Sequence, residues 1–225
     1  MNRKRSDEIS GILDIPNGKK ANKQHLCHTF GIDEKRPLFS FVGRLAYEKG
    51  ADILPQICYK TLVKNEVSII VLGSGVKEVE SELKSLETPF KNSFAAYIGY
   101  NEDLAHQIYA ASDFLLMPSR IEPCGLNQMY ALRYGTIPIV RRTGGLANTV
   151  VDIGDGGFGI CHDQATVEDV CYSINRALDF YKKKSLKYRM SMCNLLTVLM
   201  IKNLGYIKST SLQYILQSGS ETVIT

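Results

Sequence analysis

Apolar positions along this chain fall into short continuous runs separated by helix-spaced patterns, and the alternation begins near residue 38. "LFSFVG" (38–43) predicts a strand ended by Gly43. "GADILPQICYKTLVK" (50–64) predicts a helix in which Pro55 must sit in the first turn or kink the axis. "VSIIVLG" (67–73) is apolar throughout, the mark of a strand buried on both faces. "KEVESELKSLE" (77–87) predicts an exposed helix, "FAAYIG" (94–99) a strand, "EDLAHQIYAAS" (102–112) a helix and "DFLLMPS" (113–119) a strand. "LNQMYALRYG" (126–135) predicts a helix stopped by Gly135, and "TIPIVRR" (136–142) a strand. "TVEDVCYSINRALDFYKK" (166–183) predicts a long helix with an apolar face at Val167, Val170, Ile174, Ala177 and Leu178.

Strands alternating with helices at this spacing imply an α/β fold with a doubly wound, mainly parallel, Rossmann-like sheet. Residues 1–36 are polar and broken and are expected to be linker-like. The sheet and its helices occupy 37–184, and 185–225 form a tail with an amphipathic helix expected around Leu186 to Leu204. Apolar residues make up 44% and charged residues 22%, an ordinary soluble composition. The net charge of +4 is too small to argue for nucleic acid but suits an anionic small ligand. The most apolar stretch, Leu195 to Ile201, is far too short to span a bilayer. Cysteines 27, 58, 124, 161, 171 and 193 form no C-x-x-C pair, and "MNRKRSDEIS" has no apolar signal core. Free thiols in a cytoplasmic setting are the expectation.

Ligands of doubly wound sheets bind beyond the carboxyl ends of the strands, so the residues following each strand matter most. Arg44 and Lys49 follow the first strand; alone they read as solvated surface charges, yet at a strand end they can neutralise a diphosphate. "GSG" (73–75) is a weak turn signal and not a full dinucleotide or P-loop motif. Tyr100 can pack half-buried or offer a face to a base. Glu122 can serve as a dipole partner of the next helix. With Pro123 and Gly125 restricting the backbone, the amides from Cys124 to Asn127 can form an anion cradle, leaving Glu122 to accept bonds from sugar hydroxyls. "RTGGL" (142–146) repeats the theme before a short helix. His25, Cys27 and His28 lack a second ligand pair and read as surface residues rather than a metal site. His106 reads as a packing or capping histidine, and Asp152 and Asp155 as loop carboxylates.

"FVGRLAYEKGAD", "LGSG", "IGYNEDLAHQIYAASDFLLMPSRIEPCGLNQMYALRYGTIPIVRRTGGLANTVVD" and "GFGI" together resemble the carboxyl-terminal, nucleotide-sugar-binding half of bacterial glycogen synthase and plant starch synthase. The resemblance covers about residues 38–180. It implies half of a two-domain GT-B fold and transfer of glucose, with retention, from ADP-glucose to an α-1,4-glucan. It also implies a catalytic set of Arg44, Lys49 and Glu122. Arg44 and Lys49 would bind the diphosphate, Tyr100 would stack on adenine, and Glu122 would contact the donor glucose. Gly73, Gly75, Cys124, Gly125, Leu126, Asn127, Thr143 and Gly144 complete the expected substrate-binding set. No metal or cofactor is expected. Partners would be ADP or ADP-glucose, the glucan and a separate amino-terminal half, in the cytoplasm or, for a plant chain, a plastid. The family's amino-terminal domain, with its lysine-bearing Gly-Gly loop, has no counterpart here; "SGILD" resembles the end of that domain and "KKANKQHL" a helix just before the second, and the tail lacks the family's tryptophan-containing helix. Donor binding without efficient transfer is therefore expected. A non-catalytic nucleotide-binding module and a GT-B enzyme using a UDP-sugar stay open as alternatives.

Overall fold

The computed structural model describes residues 15–183. Six parallel strands form one sheet: β1 (Leu38–Val42), β2 (Ser68–Gly73), β3 (Phe94–Ile98), β4 (Phe114–Met117), β5 (Ile137–Arg141) and β6 (Ile160–His162). Their order is β3-β2-β1-β4-β5-β6, so the winding reverses between β1 and β4. This is the doubly wound order in which a crevice opens at the reversal. Helices α1 (Ile15–Phe30), α2 (Leu54–Lys64), α3 (Lys77–Ser85), α4 (Glu102–Ala111), α5 (Asn127–Arg133), α6 (Gly144–Thr149) and α7 (Val167–Lys183) cover both faces.

The period of two along each strand divides the core. Phe39, Phe41, Ile69, Val71, Phe114 and Leu116 face α2, α3 and α7. Leu38, Ile70 and Leu72 face α1 and α4 on the opposite side, while Leu115, Met117 and Val140 pack with residues of α5 and α6. Phe39 and Phe114, both fully buried on adjacent strands, stack with ring centroids 4.9 Å apart. Pro55 lies in the first turn of α2, where its missing N–H leaves no ladder bond unmade, so the axis needs no kink. Two 3-10 turns (Tyr47–Lys49 and Ala51–Ile53) precede it instead of a single helix from residue 50.

Two further helix expectations need correction. The helix at 77–87 is not wholly exposed. It runs over Lys77–Ser85, buries Val79 and Leu83, and draws Glu80 inward to accept from the Gly75 amide at 2.8 Å. The second correction lies in the polar stretch before residue 37: the helix that "KKANKQHL" resembles is there, but it runs over Ile15–Phe30 and, instead of serving as a linker, docks on the sheet. Leu26 and Cys27 are buried, and Lys19 is only 5% exposed. The Lys19 ammonium donates to Thr136 Oγ1 (2.7 Å) and to the carbonyls of Tyr134 (3.1 Å) and Ala110 (3.3 Å). Lys23 pairs with Asp113 at 2.7 Å. Long lysine stems cover apolar surface while their heads satisfy carbonyls at the carboxyl ends of α4 and α5, so a lysine-rich composition conceals a packed helix. "SGILD", the tail beyond 184 and the helix expected around Leu186 to Leu204 lie outside the described residues.

Asp152 is a clamp rather than a loop carboxylate. It is 5% exposed and receives both guanidinium arms of Arg176 (2.5 and 3.0 Å). The amides of Gly154 and Cys161 donate to it as well, each at 2.7 Å. Burial pushes its carboxyl up, but Arg176 and the two amides outweigh burial and hold it below the usual carboxylate range. The depressed pKa makes its contribution to stability full above the unfolded value of about 3.9 and lost as pH falls through the lower folded value. Asp152→Asn is expected to cost about 3 kcal/mol at pH 7 by leaving Arg176 without its counter-charge. The gap from the unsubstituted chain should narrow as pH drops below about 4. Urea midpoints measured across that range test both expectations.

Candidate functional site

All six strands run the same way, so the turns after β1 to β5 share one rim of the sheet. A cleft of about 270 Å³ opens there. Its walls include Gly43 and Arg44 after β1, Gly73 and Ser74 at the end of β2, Tyr100 to Glu102 leading from β3 into α4, and Asn127 and Tyr130 from α5. Four of the predicted residues, Arg44, Gly73, Tyr100 and Asn127, thus line one hollow. The Tyr100 ring is 85% exposed, so its face is open, and its hydroxyl makes only a long contact of 3.4 Å to Glu102. Asn127 donates from its side-chain amide to the Val42 carbonyl at 2.8 Å, bridging the two strands at the winding reversal.

Arg44 and Lys49 differ in how firmly they are held. Arg44 is 72% exposed and pairs with Glu48 at 2.6 Å across one turn, a surface pair of the kind worth about 0–1 kcal/mol. Its guanidinium can leave that partner at little cost. Lys49 is held by the Glu122 carboxylate at 2.6 Å, with Glu122 only 8% exposed. Ser119 Oγ donates to the same Glu122 oxygen at 3.2 Å. Glu122 therefore does not cap the helix after it; its side chain is committed to Lys49. Lys49 and Glu122 share the rim with the cleft but do not line it.

Turn 122–127 is pressed against the "TGG" segment. Gly145 N–H donates to the Glu122 carbonyl at 2.9 Å. A Cβ on Gly144 would strike that carbonyl, and one on Gly145 would strike the backbone of Cys124. Thr143 Oγ1 makes a long bond to the Arg120 carbonyl, 3.4 Å. Cys124 and Leu126 are exposed. The backbone N–H groups of residues 124–127 donate to no protein acceptor among the described residues, which leaves them available as the predicted cradle. Gly75 follows Ser74 at the cleft edge but does not line the cleft itself. It pairs with Leu45, whose carbonyl a Cβ at 75 would meet, so backbone approach explains this glycine.

Several residues that shape the rim carry no signal in the sequence. Arg120 grips the Asp52 carboxylate with both arms (2.5 and 2.9 Å) and lies 4.0 Å over the Tyr47 ring. The amides of Arg120 and Ile121 both donate to the Glu48 carbonyl. His106 forms the cleft floor with Tyr109 and Tyr130, edge-on to each ring. It is a packing histidine, as its position in α4 suggests, and it also faces the hollow. Burial first, and Tyr130 second, raise the Tyr109 phenol above its ordinary range, so this hydroxyl stays uncharged. Among the described residues no group of three or more His, Cys, Asp or Glu side chains is arranged to hold a metal ion.

Comparison with known proteins adds an independent line. Residues 23–189 match the family model described as "Glycosyl transferases group 1". The chain is 60% identical over 169 residues to a glycogen synthase of Flavobacterium johnsoniae, covering 74% of this chain and 36% of that protein. It is 44% identical over 168 residues to a glycogen synthase of Bacillus subtilis, covering 72% of this chain and 35% of that one. It thus spans about a third of the length of these curated relatives. Among solved structures it resembles the catalytic domain of starch synthase IV from Arabidopsis thaliana, bound to ADP and acarbose. That match has a TM-score of 0.75 and 31% identity and covers 91% of this chain and 42% of the other. The C-terminal domain of a glycosyl transferase group 1 family protein from Francisella tularensis has the same fold, with a TM-score of 0.60 at 18% identity over 82% of this chain and 91% of that one.

The contact between the two turns sets a stability expectation. Gly145→Ala should destabilise the chain by about 2 kcal/mol, because its Cβ meets backbone rather than a side chain that can move. Gly18→Ala, in open space on α1, should be neutral or stabilising by about 0.5 kcal/mol. Thermal unfolding of the two variants in parallel gives the comparison.

Proposed function

The chain belongs to the group 1 glycosyl transferases, and we propose that it is the donor-binding domain of a retaining glucosyltransferase that moves glucose from ADP-glucose to an α-1,4-glucan. Its sheet is the carboxyl-terminal half of a GT-B fold. We take residues 37–184 as the donor-binding unit, with α1 buttressing it. The observation that carries the reading is the rim itself. An open cleft with an exposed aromatic ring and a loosely held arginine lies beside a lysine fixed by a buried carboxylate. The likeness to a starch synthase solved with ADP and acarbose supports the nucleotide and the glucan.

In this reading adenine stacks on Tyr100, and the diphosphate runs along the rim past Arg44 towards Lys49. The bond from the sugar C1 to the phosphate oxygen breaks, leaving positive charge on the sugar and negative charge on the departing ADP. Lys49 is already in place, held by Glu122, so it offsets that charge without reorganisation during the reaction. Glu122 retains acceptor capacity for hydroxyls of the donor glucose. The acceptor hydroxyl attacks C1 on the face the phosphate leaves, and its proton passes to a phosphate oxygen. The amides of residues 124–127 meet the distal phosphate and sugar. The setting is the cytoplasm, or a plastid for a plant chain; no described helix is long and apolar enough to cross a membrane.

This half of a two-domain cleft should bind donor yet transfer little glucose by itself, because domain closure is what excludes water and aligns the acceptor. Supplying an amino-terminal half should restore transfer, whereas robust glucan elongation by the lone chain would contradict the assignment. Calorimetric titration with ADP-glucose is expected to show binding that Arg44→Ala weakens roughly 10- to 100-fold, the value of one charge-assisted hydrogen bond. UDP should compete less well than ADP; equal competition would favour a UDP-sugar enzyme.

A further inference from the structure

Gln128 stands one residue beyond the turn and is completely buried. Its side-chain Nε2 donates to the Gly125 carbonyl at 3.0 Å and to Thr149 Oγ1 at 3.1 Å, with a longer contact to the Cys124 carbonyl at 3.4 Å. Three acceptors around one nitrogen settle the orientation of the amide, since a carbonyl oxygen in that place would face only acceptors. Thr149 in turn donates from Oγ1 to the Gly145 carbonyl at 2.6 Å, and Gly145 N–H holds the Glu122 carbonyl. The opposite end of the amide, Oε1, makes no hydrogen bond and lies 2.6 Å from where a Cβ on Gly125 would stand. A buried amide carbonyl without a donor is costly, so packing efficiency alone does not account for a glutamine here.

We propose that Gln128 is a positioning residue: its amide locks the 122–127 turn to the 143–149 segment and thereby fixes the geometry in which the turn meets the distal phosphate and sugar of the donor. The proposal rests on the donor-binding reading above. It makes Gln128 act through the backbone of Cys124 and Gly125, without touching the ligand. The lock also runs both ways. Thr149 holds α6 against the same turn, so residues 143–145 and 124–127 keep a fixed spacing around whatever lies between them.

The test compares Gln128→Met, which keeps length and approximate volume but removes the donor, with Thr149→Val, which removes the acceptor from the other side. Thr149 is only half-buried, so this second variant is expected to fold if the first does not. Calorimetry with ADP-glucose and with AMP separates the roles, because AMP lacks the distal phosphate and the sugar. The expected result is roughly tenfold weaker binding of ADP-glucose to each variant, the scale of one lost buried hydrogen bond. AMP affinity should stay within about twofold, since less than half a kcal/mol is at stake there. Hydrogen exchange at the Gly145 amide should quicken in both variants. Equal loss of AMP and ADP-glucose binding would mean general loosening of the domain and would overturn the proposal. Unchanged ADP-glucose binding in both variants would overturn it too. If the unsubstituted chain binds neither ligand, the donor-binding reading fails and the proposal falls with it.

Discussion

Strands β1 and β4 lie side by side, but the chain leaves them in opposite directions, and the crevice that results has to be held at a fixed width. A short set of bonds across that gap does this. Asn127 reaches the end of β1, two amides after β4 converge on the Glu48 carbonyl, and Lys49 meets Glu122. Arg120 adds a bidentate pair with Asp52 and covers Tyr47. The Lys49–Glu122 pair is the most shielded from solvent of the ion pairs on this rim, with side chains 26% and 8% exposed, so salt screens it least. Removing either partner strands a charge in a poorly hydrated place, which ties the geometry of the rim to this one contact.

The consequence for chemistry is a division of labour between two cations. In the proposed transfer, Lys49 is the preorganised cation, held by Glu122 before charge would develop on a leaving phosphate. Arg44 is loosely paired at the surface, and in the same proposal it would follow the ligand as it enters. The open ring of Tyr100 and the packed rings of His106, Tyr109 and Tyr130 give the cleft a planar, aromatic end, while Arg44 and Lys49 follow β1. A hollow with an apolar end, bordered by Arg44 and with Lys49 beside it on the rim, suits the order of parts in the proposed nucleoside diphosphate sugar.

The rim also shows how backbone contacts can do work usually assigned to side chains. Gly144 and Gly145 bring the turn after β5 against the turn after β4, with main-chain atoms touching main-chain atoms. Gln128 and Thr149 fill the space behind that contact. The result is a pair of turns tied backbone to backbone, and in the proposed site their mutual spacing would matter alongside the charged groups in front of them.

The order of strands and helices was legible in the chain because its physical cause is local: runs of β-branched, aliphatic and aromatic residues make β1, β2 and β5, and Gly43 and Gly73 close β1 and β2. Arg44, Tyr100, Glu122 and Asn127 were legible as rim residues for the same reason, since a parallel sheet sends every post-strand turn to one edge. The docking of helix α1 was hidden because its anchoring groups are lysines, whose burial depends on carbonyls of Ala110 and Tyr134 that lie far away in sequence. The partnership of Asp152 with Arg176, of Arg120 with Asp52 and of Gln128 with Thr149 was likewise invisible, because polar side chains choose partners by three-dimensional proximity and carry no periodic signature. Local patterning by itself determined the layers and the rim. Only the tertiary structure decided which charges are fixed, which are free, and which turns are locked together, because those depend on distances between segments that the chain order does not encode locally.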